Sequence, residues 1–250
     1  MQHKKIRVCW MYHNIMDLYG DKGNMMVLSK RCEKRGIDCE IVTLEIGQEM
    51  DLTTFDLLFL GGGADREQVL LMEDLLKRKQ QIAEAMNQGT FIVLICGGYQ
   101  LFGQYYIAAD GTKIEGLNFF DYYTEAGSNY HRCIGNIAIS AKLDDITTTI
   151  VGFENHGGQT RNVKTPFGKV LSGYGNNQQD HMEGFYNGQV LGTYMHGPLF
   201  PKNPEVADFV IYKCLKKQDS TFQYTDLTAL DDSLEQKARE VILKRLHITV

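Results

Sequence analysis

The sequence has no uninterrupted apolar run near the ~18 residues that a membrane-spanning helix needs. It has no surplus of basic charge. Its 26 Lys and Arg are outnumbered by 31 Asp and Glu, for a net charge of -5, which leaves no electrostatic footprint for nucleic acid. No CxxC pair occurs among the six cysteines Cys9, Cys32, Cys39, Cys96, Cys133 and Cys214, so zinc and dithiol-redox motifs lack their ligand spacing. The opening "MQHKKIRVCWMYHN" lacks the apolar core and small-residue cleavage site of a secretory leader. Scattered cysteines without an export signal point to a reduced, cytoplasmic setting. Internal repeats, low-complexity tracts and linker-like segments are missing as well.

What is present is an alternation of strand and helix signals. "KIRVCWMY" reads as a first strand and the glycine-punctuated "NIMDLYGDKGN" as a loop. "MMVLSKRCEKRG" reads as a helix stopped at Gly36. "DCEIVTLEI" and "FDLLFLGGG" are the next strands. "DREQVLLMEDLLKRKQQIAEAMNQG" reads as one helix ending at Gly89, and "TFIVLI" follows as a strand. This order predicts an α/β protein: a three-layer, mostly parallel sheet covered by helices on both faces. From about Gly111 to Tyr194 short strands and Gly/Asn turns predict antiparallel additions to that domain. "NPEVADFVIYKCLKK" is a helix with Pro204 in its first turn, and "DDSLEQKAREVILKRL" a final amphipathic helix. The expected division is a main domain over residues 1–218 and a C-terminal helical extension over 219–250.

Sites in such sheets lie at the carboxyl ends of the strands. Two strands end there in unusual chemistry, "LFLGGGADREQ" and "VLICGGYQLFG". The second has the form of a nucleophile elbow, with Gly97 and Gly98 permitting the tight turn behind Cys96. A helix starting after Cys96 directs backbone N–H groups at the sulfur and favours the thiolate. A buried strand-end cysteine without function is the alternative. His196, in "GQVLGTYMHGPLF", also follows an apolar strand, where it can take the thiol proton and later protonate a leaving amine. His131, His156, His181 and, less well placed, His13 are rival bases.

The segments "LFLGGGADREQ", "ICGGYQLFG", "GFENHGGQT" and "GTYMHGPLFPKNP", preceded by "NIMDLYGDKGN", resemble the glutamine amidotransferases of the cobyric-acid-synthase type. The resemblance runs from about Ile6 to Glu205 and rests on the order and spacing of the pieces. Its closest form is the branch that serves cell-wall synthesis. It implies a flavodoxin-like class I glutaminase fold, with Cys96 attacking the glutamine amide to form a thioester and His196 as base and acid. Gly97 and the Gly62–Gly63 loop would donate N–H groups to the oxyanion. Gln100, one helical turn beyond Cys96, would help hold the substrate, and Arg132 would grip its α-carboxylate. The resemblance implies no cofactor on this chain. ATP and Mg would act on a Mur-ligase-like synthetase partner (MurT), which takes the ammonia and amidates the D-glutamate of lipid II. No role for the Glu154–Thr160 motif follows from the sequence.

Two departures matter. Leu94 stands two residues before Cys96, where many glutaminases have glycine. Gly197 and Pro198 follow His196, where many have His-x-Glu, so the expected orienting carboxylate is missing. No sequence-local carboxylate replaces it, which leads to the expectation that the orienting group is supplied or positioned by the synthetase partner. Other classes remain open. A stand-alone cysteine amidohydrolase or peptidase uses the same elbow, and a binding protein could retain the fold without the chemistry. A cobalamin-pathway amidotransferase normally carries a synthetase-like domain ahead of the glutaminase, whereas this sequence begins almost at strand one.

Overall fold

The computed structural model describes residues 4–127 and 132–249. At its centre lie four parallel strands: β1 (Lys5–Met11), β2 (Asp38–Leu44), β3 (Leu57–Leu60) and β4 (Phe91–Ile95), in the order β2-β1-β3-β4. β3 reads LLFL and β4 reads FIVLI, with every side chain buried. Unbroken apolar runs of this kind belong to strands covered on both faces. The connecting helices are α1 (Lys22–Glu33), α2 (Asp65–Lys77), α3 (Lys79–Asn87) and the short α4 (Gly97–Phe102).

The segment expected as one long helix breaks at Arg78 into α2 and α3. Neither glycine nor proline marks the break. Arg78 instead anchors outside the helix, donating from Nη2 to the Gln48 carbonyl (2.7 Å) and from Nε to Asp74 (2.7 Å), and this tertiary tie overrides local propensity.

Two further sheets carry the antiparallel additions. One contains β5 (Tyr105–Ile107), β6 (Lys113–Glu115), β7 (Tyr123–Ala126) and, after the long hairpin of β8 (Cys133–Leu143) and β9 (Ile146–His156), β10 (Gly158–Arg161). The other is built on that hairpin, with β11 (Gly168–Ser172) beside β8 and β12 (Met182–Glu183) beside β11. Not all of the region is an antiparallel addition. After β13 (Phe185–Tyr186), β14 (Val190–Thr193) enters the main sheet and runs parallel to β4, pairing Val190 with Ile92 and Thr193 with Ile95. All four of its residues are buried, which suits the parallel interior and not a half-exposed hairpin. β15 (Met195–His196) then pairs antiparallel with β9. One stretch therefore joins the main sheet to the added one and ends at His196.

Beyond it, α5 (Leu199–Lys202) leads into α6 (Pro204–Gln218), which packs on β1 and β4. α7 (Ser233–Arg245) lies on the added sheet, where Leu243 meets Ala138 and Val151. The Arg31 guanidinium of α1 is buried and forks between Asp208 of α6 (2.6 and 2.8 Å) and Asp232, just before α7 (2.6 and 3.0 Å). Among the described residues, no helix is long and apolar enough to cross a membrane.

Candidate active site

Cys96 sits directly after β4 with φ 49° and ψ -102°, a left-handed backbone that costs a side-chain-bearing residue on the order of 1–3 kcal/mol. Its N–H donates to the Thr193 carbonyl of β14 (2.7 Å) and its carbonyl accepts from Gln100 N (3.0 Å), so both neighbouring elements hold the turn. The glycines behind it are required by contact. A β-carbon on Gly97 would lie 2.8 Å from the Gly63 carbonyl oxygen, and one on Gly98 would lie 2.7 Å from that of Leu60. The turn after β4 is thus stacked directly on the glycine loop after β3.

His196 meets Cys96 over Gly62. A β-carbon on Gly62 would lie 2.6 Å from His196 Cε1 and 3.5 Å from Cys96 Cβ. The third group at this point is Asp21, which the sequence reading did not select. Its Oδ1 lies 3.8 Å from His196 Nδ1, both side chains are fully buried, and neither atom has a hydrogen-bond partner among the described residues. Its Oδ2 accepts from Gly62 N (2.6 Å). Burial opposes a charged imidazolium, but the Cys96 sulfur and the Asp21 carboxylate outweigh it and push the His196 pKa up to about 10. The chain thus has its own carboxylate beside the histidine, brought there by the loop of residues 12–21 and not by the two residues after His196.

Gly62 N–H is therefore occupied by Asp21. Gly63 N and Gly97 N donate to no protein acceptor among the described residues, and a β-carbon on Gly97 would lie 3.1 Å from Gly63 N. The pair of free amides beside the cysteine is Gly97 and Gly63, with Gly62 spacing the histidine.

Cys96 opens into a cavity of about 520 Å³ also lined by Gln68, Gln100, Arg132 and His156. Arg132 is exposed at the far wall, donating from Nε (3.2 Å) and Nη2 (2.9 Å) to Asn155 Oδ1. Asn155 Nδ2 donates in turn to the Tyr19 hydroxyl (2.6 Å), and the Tyr19 ring stands edge-on to His196 at 5.0 Å. Gln100 is buried with both ends of its amide engaged, accepting from Gln68 Nε2 (3.0 Å) and donating to the Tyr194 hydroxyl (3.2 Å).

The Glu154–Thr160 motif acquires a structural account. Glu154 is fully buried and accepts from Tyr174 N (2.7 Å) and Gly175 N (3.0 Å), closing a loop over the sheet. His156 stacks on Tyr194 with centroids 3.7 Å apart, and its Nδ1 pairs with the Gly158 carbonyl (2.7 Å). A β-carbon on Gly158 would lie 2.5 Å from Gln100 Nε2, and Thr160 bonds the Tyr194 hydroxyl (2.6 Å). The motif forms the wall on which Gln100 and Tyr194 rest. Of the rival histidines, His156 lines the cavity, His181 is exposed, and the His13 ring lies tilted against Trp10 with centroids 5.4 Å apart. His131 lies outside the described residues.

The family model of the CobB/CobQ-like glutamine amidotransferase domain matches residues 7–204, a span that contains every group named above. The chain belongs to the CobB/CobQ-like glutamine amidotransferase family. This glutamine amidotransferase is 40% identical to the lipid II isoglutaminyl synthase (glutamine-hydrolyzing) subunit GatD of Staphylococcus aureus, over 94% of each chain. It is 36% identical to the protein of the same name from Streptococcus pneumoniae, over 94% of this chain and 90% of that one. A probable cobyric acid synthase of Methanocaldococcus jannaschii is 31% identical over 63% of this chain but only 32% of its own length. A solved glutamine amidotransferase superposes with a TM-score of 0.53 over 83% of this chain and 98% of that one, at 12% identity, which is a likeness of fold.

Proposed function

We propose that this glutamine amidotransferase is the glutaminase subunit of a lipid II-amidating synthase. The observation that carries the mechanism is the meeting of Cys96, His196 and Asp21 around Gly62, beside a cavity that Cys96 and Arg132 both line. Near-full-length identity to two GatD subunits supports the acceptor.

The Cys96 thiolate attacks the carboxamide carbon of glutamine. The oxyanion that forms is met by Gly97 N–H and Gly63 N–H, fixed amides whose preorganisation is worth several kcal/mol per donor, on the order of 3. His196, held as imidazolium, gives its proton to the leaving nitrogen, the C–N bond breaks, and ammonia departs from a thioester. Neutral His196 then takes a proton from water as it attacks the thioester, and glutamate and the thiolate are regenerated. Asp21 keeps the ring in register through Nδ1. Its 3.8 Å separation is about 1 Å beyond hydrogen-bond length, so the contact has to close for full rate. Docking of the Mur-ligase-like partner supplies that closure. ATP and Mg are used on the partner, where the D-glutamate carboxylate of lipid II is activated for the ammonia.

Reconstitution tests this. The chain, its Mur-ligase-like partner, ATP, Mg and lipid II should yield amidated lipid II with glutamine. Cys96→Ala should lose glutamine-dependent amidation yet keep the reaction with ammonium chloride. A diazoketone analogue of glutamine should label Cys96 and no other cysteine, and ammonia release should rise when the partner is added. Labelling elsewhere, or amidation by the alanine variant with glutamine, would overturn the assignment.

A further inference from the structure

Gln68 lies in the first turn of α2, 2% exposed, against the glycine loop. Its Nε2 donates to the Gly63 carbonyl (3.2 Å) and to Gln100 Oε1 (3.0 Å), which uses both amide protons. The Gly63 carbonyl can only accept, so the orientation of the side-chain amide is set by the network. Its Oε1 is consequently an acceptor, and it is buried with no hydrogen-bond partner among the described residues. Buried acceptors are nearly always paired in a working protein. The residue lines the cavity beside Cys96, which makes that cavity the route by which a partner can reach Oε1.

The position of Gln68 along the cavity tells which part of the substrate it meets. At one end, Arg132 Nη1 lies 3.5 Å from a β-carbon built on Gly157. Next comes Gln100 Nε2, packed under Gly158, and then Gln68 Nε2, 3.0 Å from a β-carbon on Gly97. Gln68 is therefore at the Cys96 end, and Arg132 at the other. With the α-carboxylate at Arg132, the group beside Gln68 is the reacting carboxamide. The α-ammonium group has the exposed Asp65 carboxylate available in the same cavity.

Building on the glutaminase reading, we propose that Gln68 Oε1 accepts a hydrogen bond from the carboxamide NH2 of the substrate and makes the site specific for a γ-amide over a γ-carboxylate. A carboxamide nitrogen presents two protons. A carboxylate presents only lone pairs at the same point, and Oε1 cannot donate, because both protons of the Gln68 amide are committed elsewhere. The contact also turns the nitrogen away from the two oxyanion amides, so that the carbonyl oxygen faces Gly97 and Gly63. After hydrolysis the glutamate carboxylate meets an unpaired acceptor, which weakens product binding. This is discrimination by an unfavourable contact with the wrong ligand as well as a favourable one with the right ligand.

The test compares glutamine with γ-glutamyl methyl ester, which acylates the same cysteine but carries no amide proton. In the complex with its partner, Gln68→Ala should lower kcat/KM for glutamine by about tenfold to a hundredfold more than kcat/KM for the ester, whose own fall reads the lost donations to Gly63 and Gln100. The inhibition constant of glutamate should fall relative to the KM of glutamine. An equal fall for both substrates would mean that Gln68 only supports Gly63 and Gln100, and would overturn the proposal. Gln68→Met keeps the side-chain volume and gives the same comparison if the alanine variant folds poorly. Failure of the unsubstituted protein to hydrolyse glutamine or to be labelled at Cys96 would instead remove the glutaminase reading, and this inference with it.

Discussion

The parallel sheet and the antiparallel additions contribute to opposite ends of one cavity. The parallel half brings Cys96, the Gly61–Gly63 loop and Asp21 together through strand ends that are almost wholly buried, and its backbone conformations there are strained. The added half brings Arg132, Asn155 and the Glu154–Thr160 wall, and its charged group is exposed. His196 belongs to both, since β14 pairs in the main sheet and β15 in the added one. The difference separates two tasks. On the proposed mechanism, bond breaking falls to groups whose positions are over-determined by packing, and recognition of the substrate's charged end to groups that remain accessible.

Substitutions that act on one half alone test that separation. The largest effect is expected at Asp21→Asn, in the buried half. The asparagine oxygen can still accept from Gly62 N, but the charge facing His196 is gone. Turnover should fall by about 10²- to 10⁴-fold with little change in KM. The sign of the pH effect follows from the histidine. With the imidazolium's pKa pushed up to about 10, the alkaline limb of the rate is expected near that value in the native protein. Without the carboxylate the limb should move to lower pH. A pH–rate profile that stays in place would show that Asp21 does not orient the ring.

A smaller effect is expected from the added half. Arg132→Ala should raise the KM for glutamine by about tenfold to a hundredfold and spare kcat, because a lost bidentate charge contact removes binding and not chemistry. Arg132→Lys should recover only part, as an ammonium cannot offer the planar fork. Steady-state kinetics with glutamine decide it, and unchanged constants in the alanine variant would take Arg132 out of the site.

The smallest effect on catalysis is expected at the seam, where stability changes instead. Glu183 is fully buried and accepts from Tyr194 N (2.7 Å) and Thr193 Oγ1 (2.9 Å), just ahead of His196. Burial pushes its carboxyl up to about 8, against hydrogen bonds that favour the ionised form. From its ordinary 4.5 up to about 8, the unfolded chain has released this proton while the folded one retains it. Stability should therefore decline as pH rises through that window, by up to about 1.4 kcal/mol per pH unit. Glu183→Gln should flatten the dependence, which denaturant midpoints at several pH values would reveal.

The elements that the sequence displays are those whose constraints are local. The runs LLFL and FIVLI can only be buried strands, and Gly97–Gly98 after Cys96 can only serve a tight turn, so the elbow and its sheet were legible. Asp21 was not. It precedes Gly62 by 41 residues and reaches it because Leu18 N bonds the Gly62 carbonyl (3.0 Å) and folds the loop onto the strand ends. No periodicity records such a contact. The direction of β14 was hidden for a related reason, since four residues look alike in either orientation until their partner is known. The break at Arg78 escaped because its cause, the Gln48 carbonyl, is 30 residues away.

Asp21 is the residue from which α1 departs, and Arg31 is held near the other end of the same helix by Asp208 and Asp232. A helix is stiff along its axis, and ten residues span about 15 Å. Asp208 of α6 and Asp232 before α7 thus grip one end of a rod whose opposite end carries the carboxylate facing the imidazole. The helix has little freedom to slide, so the position of the Asp21 carboxylate beside the imidazole is underwritten by a clamp at the far end of α1.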